Sequence, residues 1–584
     1  MRSDAEQREW GAMKLTSVPG IRVLSTYERA WLPKDVVAGL VLTALLVPQG
    51  MAYAELAGLP PITGLYTSIL CLTAYALMGP SRNLVLGPDS SLGPMIAATI
   101  LPLIGANGDP AKAVMLASML ALLVGAIMLL AGLAHGGFIA DLLSKPTQIG
   151  YMNGLALTIL VGQLPKLFGF SVDADGFIPE LRGFFNGLVA GDTVVAALAV
   201  GVGALALILI LERVMPKIPS VLAAVVLSII AVNAFDLTAH GVSVVGPLPS
   251  GFPPFTIPHV SLSDASLLLL GAFGIVFVAL ADTISTASSF AARAGDQVHG
   301  DQEMIGIGAA NLAAGLFQGF PVSTSGSRTA VAVQAGAKTQ VAGLVGAGAI
   351  VLMLVAVPGL LKDLPQPALA AVVISASLSL ADVKGIKRLW KQRKTEAWLA
   401  ITAFLAVTFL GVLPGIVIAI VLSILNVFRR IWWPYQAVLG DPDHLTGFHD
   451  ISSHPDATTI PGLVLFRFDA PLIFANARTF RERVLQLAEE PDVRWLMIAA
   501  EPITDIDTTA ADMLEDLDEA LNEAGIHLVF AEMKDPVRRK VERYELTRTI
   551  SPEHFYPTID AAVDAFRAMT GAGWQPAERG DDER

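Results

Sequence analysis

The chain has 584 residues, of which 53% are hydrophobic and only 16% are charged. Soluble globular chains carry about 25% charged residues, so this composition, with a mean hydropathy of +0.60, excludes an ordinary cytosolic enzyme. The net charge of −13 is unevenly placed: residues 1–435 carry 25 Lys/Arg against 23 Asp/Glu, and residues 436–584 carry 14 against 29. With no basic stripe to neutralise phosphates, nucleic acid is not an expected partner.

In chain order, residues 1–34 mix charges with Trp10 and Trp31 and lack the apolar core of a secretory signal, so they are read as a cytosolic N-terminal segment. Residues 35–432 form the expected membrane domain. It contains apolar stretches near the roughly 20 residues that cross a bilayer as helix. They fall at 36–55, 61–79, 83–105, 112–133, 144–165, 192–211, 218–236, 263–285, 302–318, 320–336, 339–359, 364–381, 395–411 and 412–430, fourteen in all. With a cytosolic N-terminus, fourteen spans place 20 Lys/Arg on the cytosolic side and only Lys112, Lys166, Arg182 and Lys362 on the other, with Arg328 inside a span. That asymmetry satisfies the positive-inside rule and puts both termini in the cytosol.

Two spans are interrupted. The third opens Leu84-Val85-Leu86-Gly87-Pro88-Asp89-Ser90-Ser91, and the tenth opens Phe320-Pro321-Val322-Ser323-Thr324-Ser325-Gly326-Ser327-Arg328. Each reads as a short extended stretch, a Gly/Pro break and a helix that starts with hydroxyl residues. Third and tenth are matching positions in two halves of seven, and an odd number of spans inverts the second half. Interrupted segments at matching positions point to a midplane binding site. Two helix N-termini, each equivalent to about +0.5 charge, together with the hydroxyls of Ser90, Ser91, Ser323, Thr324, Ser325 and Ser327, can replace water around an anion. Arg328 adds a full positive charge that lipid does not tolerate unpaired. Asp89 either caps its helix, titrates or balances Arg328. Asp282, alone inside the eighth span, is read as a coupling group: a proton carrier, or an oxygen ligand for a cation with Thr286 on the same helical face. Gln49 and Tyr53, one turn apart after Pro48, can face the same cavity or a packed interface.

Cys71 lies in an apolar run and reads as a small core residue. His444, His449 and His454 recur every five residues, a period that matches neither a helical face nor a metal-ligand pattern, so 433–459 is read as a polar linker. Beyond it, 463–468, 493–499 and 526–531 read as strands, with helices at 475–489, 509–524, 535–544 and 558–569. This alternation predicts a small acidic α/β domain over 460–571 on the cytosolic side, followed by a disordered tail at 572–584.

The stretches Val47-Pro48-Gln49-Gly50-Met51-Ala52-Tyr53-Ala54 and Leu59-Pro60-Pro61-Ile62-Thr63-Gly64-Leu65-Tyr66-Thr67-Ser68 resemble the sulfate permease family, also called solute carrier family 26. So do Ser81-Arg82 with Gly87-Pro88, Asn311, Phe320-Pro321-Val322-Ser323 and Ser327-Arg328-Thr329. The resemblance implies fourteen helices in core and gate bundles with short third and tenth helices, elevator-type alternating access, a homodimer, and an anion held between the third and tenth helices. It carries anion contact over to Gln49, Tyr53, the start of the third helix near Asp89, Ser327 and Arg328. Many members carry Glu where this chain has Asp282, and an Asp with Thr four residues later is similar to the sodium site of the family's bicarbonate transporters. The C-terminal region resembles the STAS domain through Phe474-Ala475-Asn476-Ala477, Asp505-Ile506-Asp507-Thr508-Thr509-Ala510 and Lys534-Asp535-Pro536-Val537. Thr509 stands where related antagonist proteins are phosphorylated, but Ala510 replaces their Gly, so capping by Asp507 or Thr508 is the preferred reading over regulation at Thr508 or Thr509.

The expected protein is therefore a polytopic all-α membrane protein with fourteen spans in two inverted repeats of seven, plus a small cytosolic α/β domain. Its expected role is secondary transport of a small inorganic or carboxylate anion, sulfate first, across the inner membrane. Gln49, Tyr53, Asp89, Ser90, Ser91, Ser325, Ser327 and Arg328 would bind the anion, and Asp282 with Thr286 would couple H+ or Na+. Bicarbonate and a C4-dicarboxylate are the alternative substrates. An uncoupled channel or exchanger, a nucleobase transporter and a sensor acting on a cytosolic partner are the rival functions. No enzyme motif appears, and no organic cofactor or fixed metal is expected.

Overall fold

The computed structural model describes residues 19–20, 26–104, 108–138, 144–172, 174, 176–215, 218–294 and 297–571. Most of the expected segment 1–34 and the expected tail 572–584 lie outside the described residues, as do Arg2, Arg8, Lys14, Arg22 and Lys217 of the positive-inside set. The chain divides into two compact units, Met1–Ser423 and Ile424–Arg584.

The first unit is helical apart from two short strands. Its elements are α1 (Leu32–Leu56), α2 (Ile62–Met78), β1 (Leu86–Gly87), α3 (Gly93–Ile104), α4 (Pro110–Leu133), α5 (Lys145–Phe168), α6 (Phe177–Ala190), α7 (Val195–Val214) and α8 (Ser220–Ala234). These are followed by α9 (Leu262–Ala294), α10 (Gly300–Leu316), β2 (Ser323–Thr324), α11 (Gly326–Gln334), α12 (Val341–Ala356), α13 (Gln366–Leu380), α14 (Val383–Gln392), α15 (Lys394–Leu410) and α16 (Val412–Trp432), within which the division falls. A helix lies at each of the fourteen expected positions. The amphipathic α6 and α14 were not expected, because neither forms a continuous apolar run. Among the described residues, six helical segments are long and apolar enough to cross a membrane: Arg29–Leu56, Pro110–Leu133, Val195–Val214, Leu262–Ala292, Gln366–Gln392 and Val412–Trp432.

Local chemistry accounts for the helix boundaries. Pro stands in the first turn of α1, α4, α5 and α13, where its missing N–H costs nothing. Asp109 caps α4 by accepting from Ala111 N at 2.9 Å. Packing joins α1, α2 and α4 with α9, α10 and α12, while α5 and α7 pack with α8, α13 and α15. Small residues bring α1 and α2 together: a Cβ on Gly64 would stand 1.9 Å from Gly50 O, so the two backbones touch where side chains would separate them.

The second unit is an α/β layer structure built on β3 (Gln436–Gly440), β4 (His449–Asp450), β5 (Leu463–Phe468), α17 (Ala477–Ala488), β6 (Trp495–Ala499) and α18 (Thr508–Glu523), then β7 (His527–Ala531), α19 (Asp535–Arg543), β8 (Phe555–Tyr556) and α20 (Ile559–Thr570). The strand order is β4-β3-β5-β6-β7-β8, with β5 through β8 parallel and β3 antiparallel to both its neighbours. Alternation sorts the side chains: Val464, Phe466 and Phe468 join the core under α17–α19, and Leu463 and Leu465 join the core under α20. The expected strands and helices all form, each end shifted by no more than two residues. The stretch 433–459 differs from its expected role as a linker, because β3 and β4 lie inside it and extend the sheet. Five residues of mixed burial in β3 left no strand signal strong enough to read.

Candidate functional site

The two interrupted segments meet. β1 and β2 pair antiparallel, Leu86 opposite Thr324 and Gly87 opposite Ser323, and each strand precedes its short helix, β1 through a turn and β2 across the single residue Ser325. Ser325 N donates to Val85 O at 3.1 Å, and Val85 N donates to Thr329 Oγ1 at 3.1 Å, so the ribbon is tied on both sides. Asn311 braces it from α10: its Oδ1 accepts from Val322 N at 3.0 Å, and its Nδ2 donates to Val322 O at 3.4 Å. Thr67 accepts from Phe320 N at 3.1 Å, and Thr324 donates to Thr283 Oγ1 at 3.1 Å. Every backbone group held this way is one that a broken helix would otherwise leave unpaired in an apolar surrounding.

Between the two helix starts lies Arg328, whose side chain is 1% exposed. Gly87 makes room for it, since a Cβ there would stand 3.4 Å from the guanidinium carbon. Nη1 donates to Pro88 O, and Nη2 lies 3.7 Å from Asp89 Oδ2. Among the described residues neither Nε nor Nη2 finds a hydrogen-bond acceptor, although both are fully buried. A buried donor without an acceptor costs about 1–3 kcal/mol, and more when charged, so this guanidinium suits an additional anionic partner.

Asp89 faces Arg328 and holds the turn that precedes α3. Its Oδ1 accepts from Ser91 N at 2.9 Å and from Ser91 Oγ at 2.7 Å, and its Oδ2 faces Arg328. Ser91 also donates to Asp282 Oδ2 at 3.2 Å, and Gln148 Nε2 donates to Asp282 Oδ1 at 3.3 Å. A continuous polar chain therefore runs from Gln148 on α5, through Asp282 on α9 and Ser91 and Asp89 on the third segment, to Arg328 on α11. Tyr53, buried on α1, lies beside Ser90, Asp89 and Arg328. Gln49 is half-buried one turn away. At the other opening, Ser325 caps α11 by accepting from Arg328 N at 3.4 Å and shares a hydrogen bond with Ser327 at 3.0 Å.

The structure thus gathers Tyr53, Asp89, Ser90, Ser91, Asp282, Ser325, Ser327 and Arg328. Thr286 follows Asp282 by one turn on α9. Its Oγ1 lies 3.8 Å from where a Gly326 Cβ would stand, at the start of α11, and among the described residues the hydrogen bonds to Asp282 come from Ser91 and Gln148. One helical turn of separation puts Thr286 on the same face but nearer the tenth opening. Sequence reasoning missed Gln148 and Thr283. Thr147, Gln148 and Tyr151, polar groups clustered within about one turn of an apolar span, were the available signal for the first.

In the second unit, Asp507 is the cap. Its Oδ1 accepts from Ala510 N at 2.8 Å and its Oδ2 from Phe474 N at 2.8 Å, tying the motif loop to the start of α18. Thr508 and Thr509 are exposed in the first turn. Asn476 is buried, accepts from Ile473 N at 3.0 Å and donates to Pro471 O at 2.9 Å, which explains the demand for Asn in that loop.

Two broken segments that meet in a ribbon, with a buried guanidinium at their helix starts, define a polytopic membrane protein with a polar centre, joined to a small α/β domain. The chain belongs to the sulfate permease family, which it matches over residues 32–403, and residues 454–562 match the STAS domain. It is 42% identical over 553 residues to a probable sulfate transporter of Mycobacterium tuberculosis (strain ATCC 25618 / H37Rv), covering 94% of this chain and 98% of that one. It is 28% identical to sulfate transporter 3.1 of Arabidopsis thaliana, covering 93% and 86%. Its fold is similar to that of SLC26A9, with a TM-score of 0.86 at 22% identity, covering 98% of this chain and 96% of that one. It also resembles the transmembrane domain of the cyanobacterial bicarbonate transporter BicA, with a TM-score of 0.59 at 20% identity, covering 68% and 98%.

Proposed function

We propose that this protein is a secondary active transporter of a small anion, sulfate before others, working by elevator-type alternating access across the inner membrane. The reading includes fourteen crossings in two inverted repeats, both termini in the cytosol, and assembly as a homodimer whose STAS domains are open to a cytosolic partner. The observation that carries it is Arg328: a buried guanidinium between two helix N-termini, with Nε and Nη2 free of hydrogen bonds. In this reading Gln49, Tyr53, Ser90, Ser91, Ser325 and Ser327 would contact an oxyanion that completes that group's hydrogen bonding. The curated relatives described as sulfate transporters support sulfate as the cargo.

Charge bookkeeping supports coupling at Asp282. Arg328 and Asp89 offset each other, so an entering sulfate adds two negative charges next to a second carboxylate, Asp282. A proton or Na+ on Asp282, with Thr286 one turn away, removes the third charge and lets anion and cation move together. Asp282 bonds Ser91, and Ser91 bonds Asp89, so occupancy of Asp282 is felt at the anion end through two hydrogen bonds.

The test is uptake of radiolabelled sulfate, bicarbonate and fumarate into proteoliposomes, each under separately imposed pH and sodium gradients. Sulfate uptake driven by one gradient, and lost in Arg328→Ala, is the expected result. Uptake indifferent to both gradients and unchanged in Asp282→Asn would overturn the coupled reading in favour of a passive pathway.

A further inference from the structure

The three histidines that share no helical face are brought together by the fold. β3 ends at Gly440, which pairs with His449 of β4, and Asp441 pairs with Thr458 beyond it. Asp441 and Thr458 exchange both backbone hydrogen bonds, each 2.9 Å long, and so close a neck from which two short loops emerge. One loop carries His444, and the other carries His454 and Asp456. Their ligand atoms all lie within 4.8 Å of one another. His444 Nδ1 is 2.8 Å from Asp456 Oδ2, and the His444 and His454 rings have centroids 5.7 Å apart. His449 stacks edge-on against His454 at 5.4 Å, with its Nε2 bonded to Thr446 O at 3.0 Å.

We propose that His444, His454 and Asp456 form a binding site for a divalent transition metal of the zinc class on the STAS-domain unit. Two imidazoles and a carboxylate suit Zn2+ and exclude the all-oxygen preference of Mg2+ and Ca2+. Tetrahedral zinc sets its ligand atoms about 3.3 Å apart, so binding would draw these atoms together by up to about 1.5 Å. Three protein ligands leave a fourth position for water. His449 is the positioning residue: its bond to the Thr446 carbonyl fixes its ring, and that ring backs His454. The cluster is exposed enough for an ion to enter, with His444 58% and Asp456 45% exposed. A bound ion would join the two loops and hold the outer β3–β4 edge of the sheet in one arrangement.

The test uses the full-length protein in detergent, purified without a polyhistidine tag and stripped with EDTA. Isothermal titration with zinc chloride, and visible absorption on titration with Co2+, read the site directly, independently of transport. The expected result is one saturable equivalent per chain with tetrahedral Co2+ bands. Affinity should fall at least about tenfold in His444→Ala, His454→Ala and Asp456→Ala, and be retained in His240→Ala, an exposed histidine outside the cluster. Limited proteolysis within 441–458 should slow when zinc is added. Absence of saturable binding, or binding unchanged in the three variants, would overturn the proposal and leave a hydrogen-bonded polar loop.

Discussion

The two broken segments of the membrane unit share a plan and differ in charge and exposure. Each is a two-residue strand that leads into a short helix, and the strands pair with each other. The third segment brings a carboxylate and buries its hydroxyls: Ser90 and Ser91 are 6% and 0% exposed, and Asp89 holds Ser91 in place. The tenth brings a guanidinium and leaves Gly326 and Ser327 exposed. The two segments share a backbone plan, and their side chains make them unequal. One opening is tied to Asp282, and the other leaves Gly326 and Ser327 exposed beside the buried Arg328. Two identical openings would carry either two carboxylates, which repel an anion, or two cations, which lipid would not tolerate.

The largest expected effect comes from breaking the charge difference. Arg328→Ala leaves Asp89 without its counter-charge and should cost about 3–5 kcal/mol, read as a lower unfolding temperature in detergent, and should abolish anion uptake. The double variant Asp89→Asn with Arg328→Gln should recover most of that stability without recovering uptake, because it removes both charges. Equal unfolding temperatures for wild type and Arg328→Ala would show that the pair at 3.7 Å contributes nothing. Next is the Asn311 brace on the tenth segment. Asn311→Ala strands the Val322 N–H and should destabilise by about 1–3 kcal/mol, with uptake falling alongside. A smaller change tests the caps: Ser325→Ala should cost about 1 kcal/mol, measured by the same unfolding assay. The smallest is Gln148→Ala, which removes one long hydrogen bond from Asp282. It should change stability by less than about 1 kcal/mol while altering the response to the imposed gradient.

Much of this arrangement was legible because it is local. Gly87-Pro88 and the run from Pro321 to Gly326 announce their breaks, since Pro lacks a donor and Gly weakens a helix. The hydroxyl residues beside them are cap chemistry. Arg328 stood out as a charge in an apolar span. The strands and helices between 460 and 571 were legible for the same reason, because period-two and helical patterns sort residues between the two cores. Thr286 shows the limit of such reasoning. Four residues' spacing puts it on the face of Asp282, yet the Asp282 carboxylate turns to Ser91, 191 residues away, and Gln148, 134 residues away. Nothing in the local pattern ranks those partners above Thr286. β3 was missed because its residues alternate weakly and its partner, β5, begins 23 residues after it ends.

By itself, then, the sequence determined a membrane domain with two interrupted segments at matching positions, an intramembrane Arg and Asp, and an acidic α/β domain behind them. These follow from hydropathy, backbone preference and charge, which act over a few residues. Only the tertiary structure decided that the two breaks pair as a ribbon, that Asp89 faces Arg328, and that Ser91 links Asp89 to Asp282. It likewise decided that His444, His454 and Asp456 meet across a hydrogen-bonded neck instead of trailing along a linker. Each of these contacts depends on where distant backbone is held, and packing sets that through small residues such as Gly50 and Gly64 and through buried braces such as Asn311.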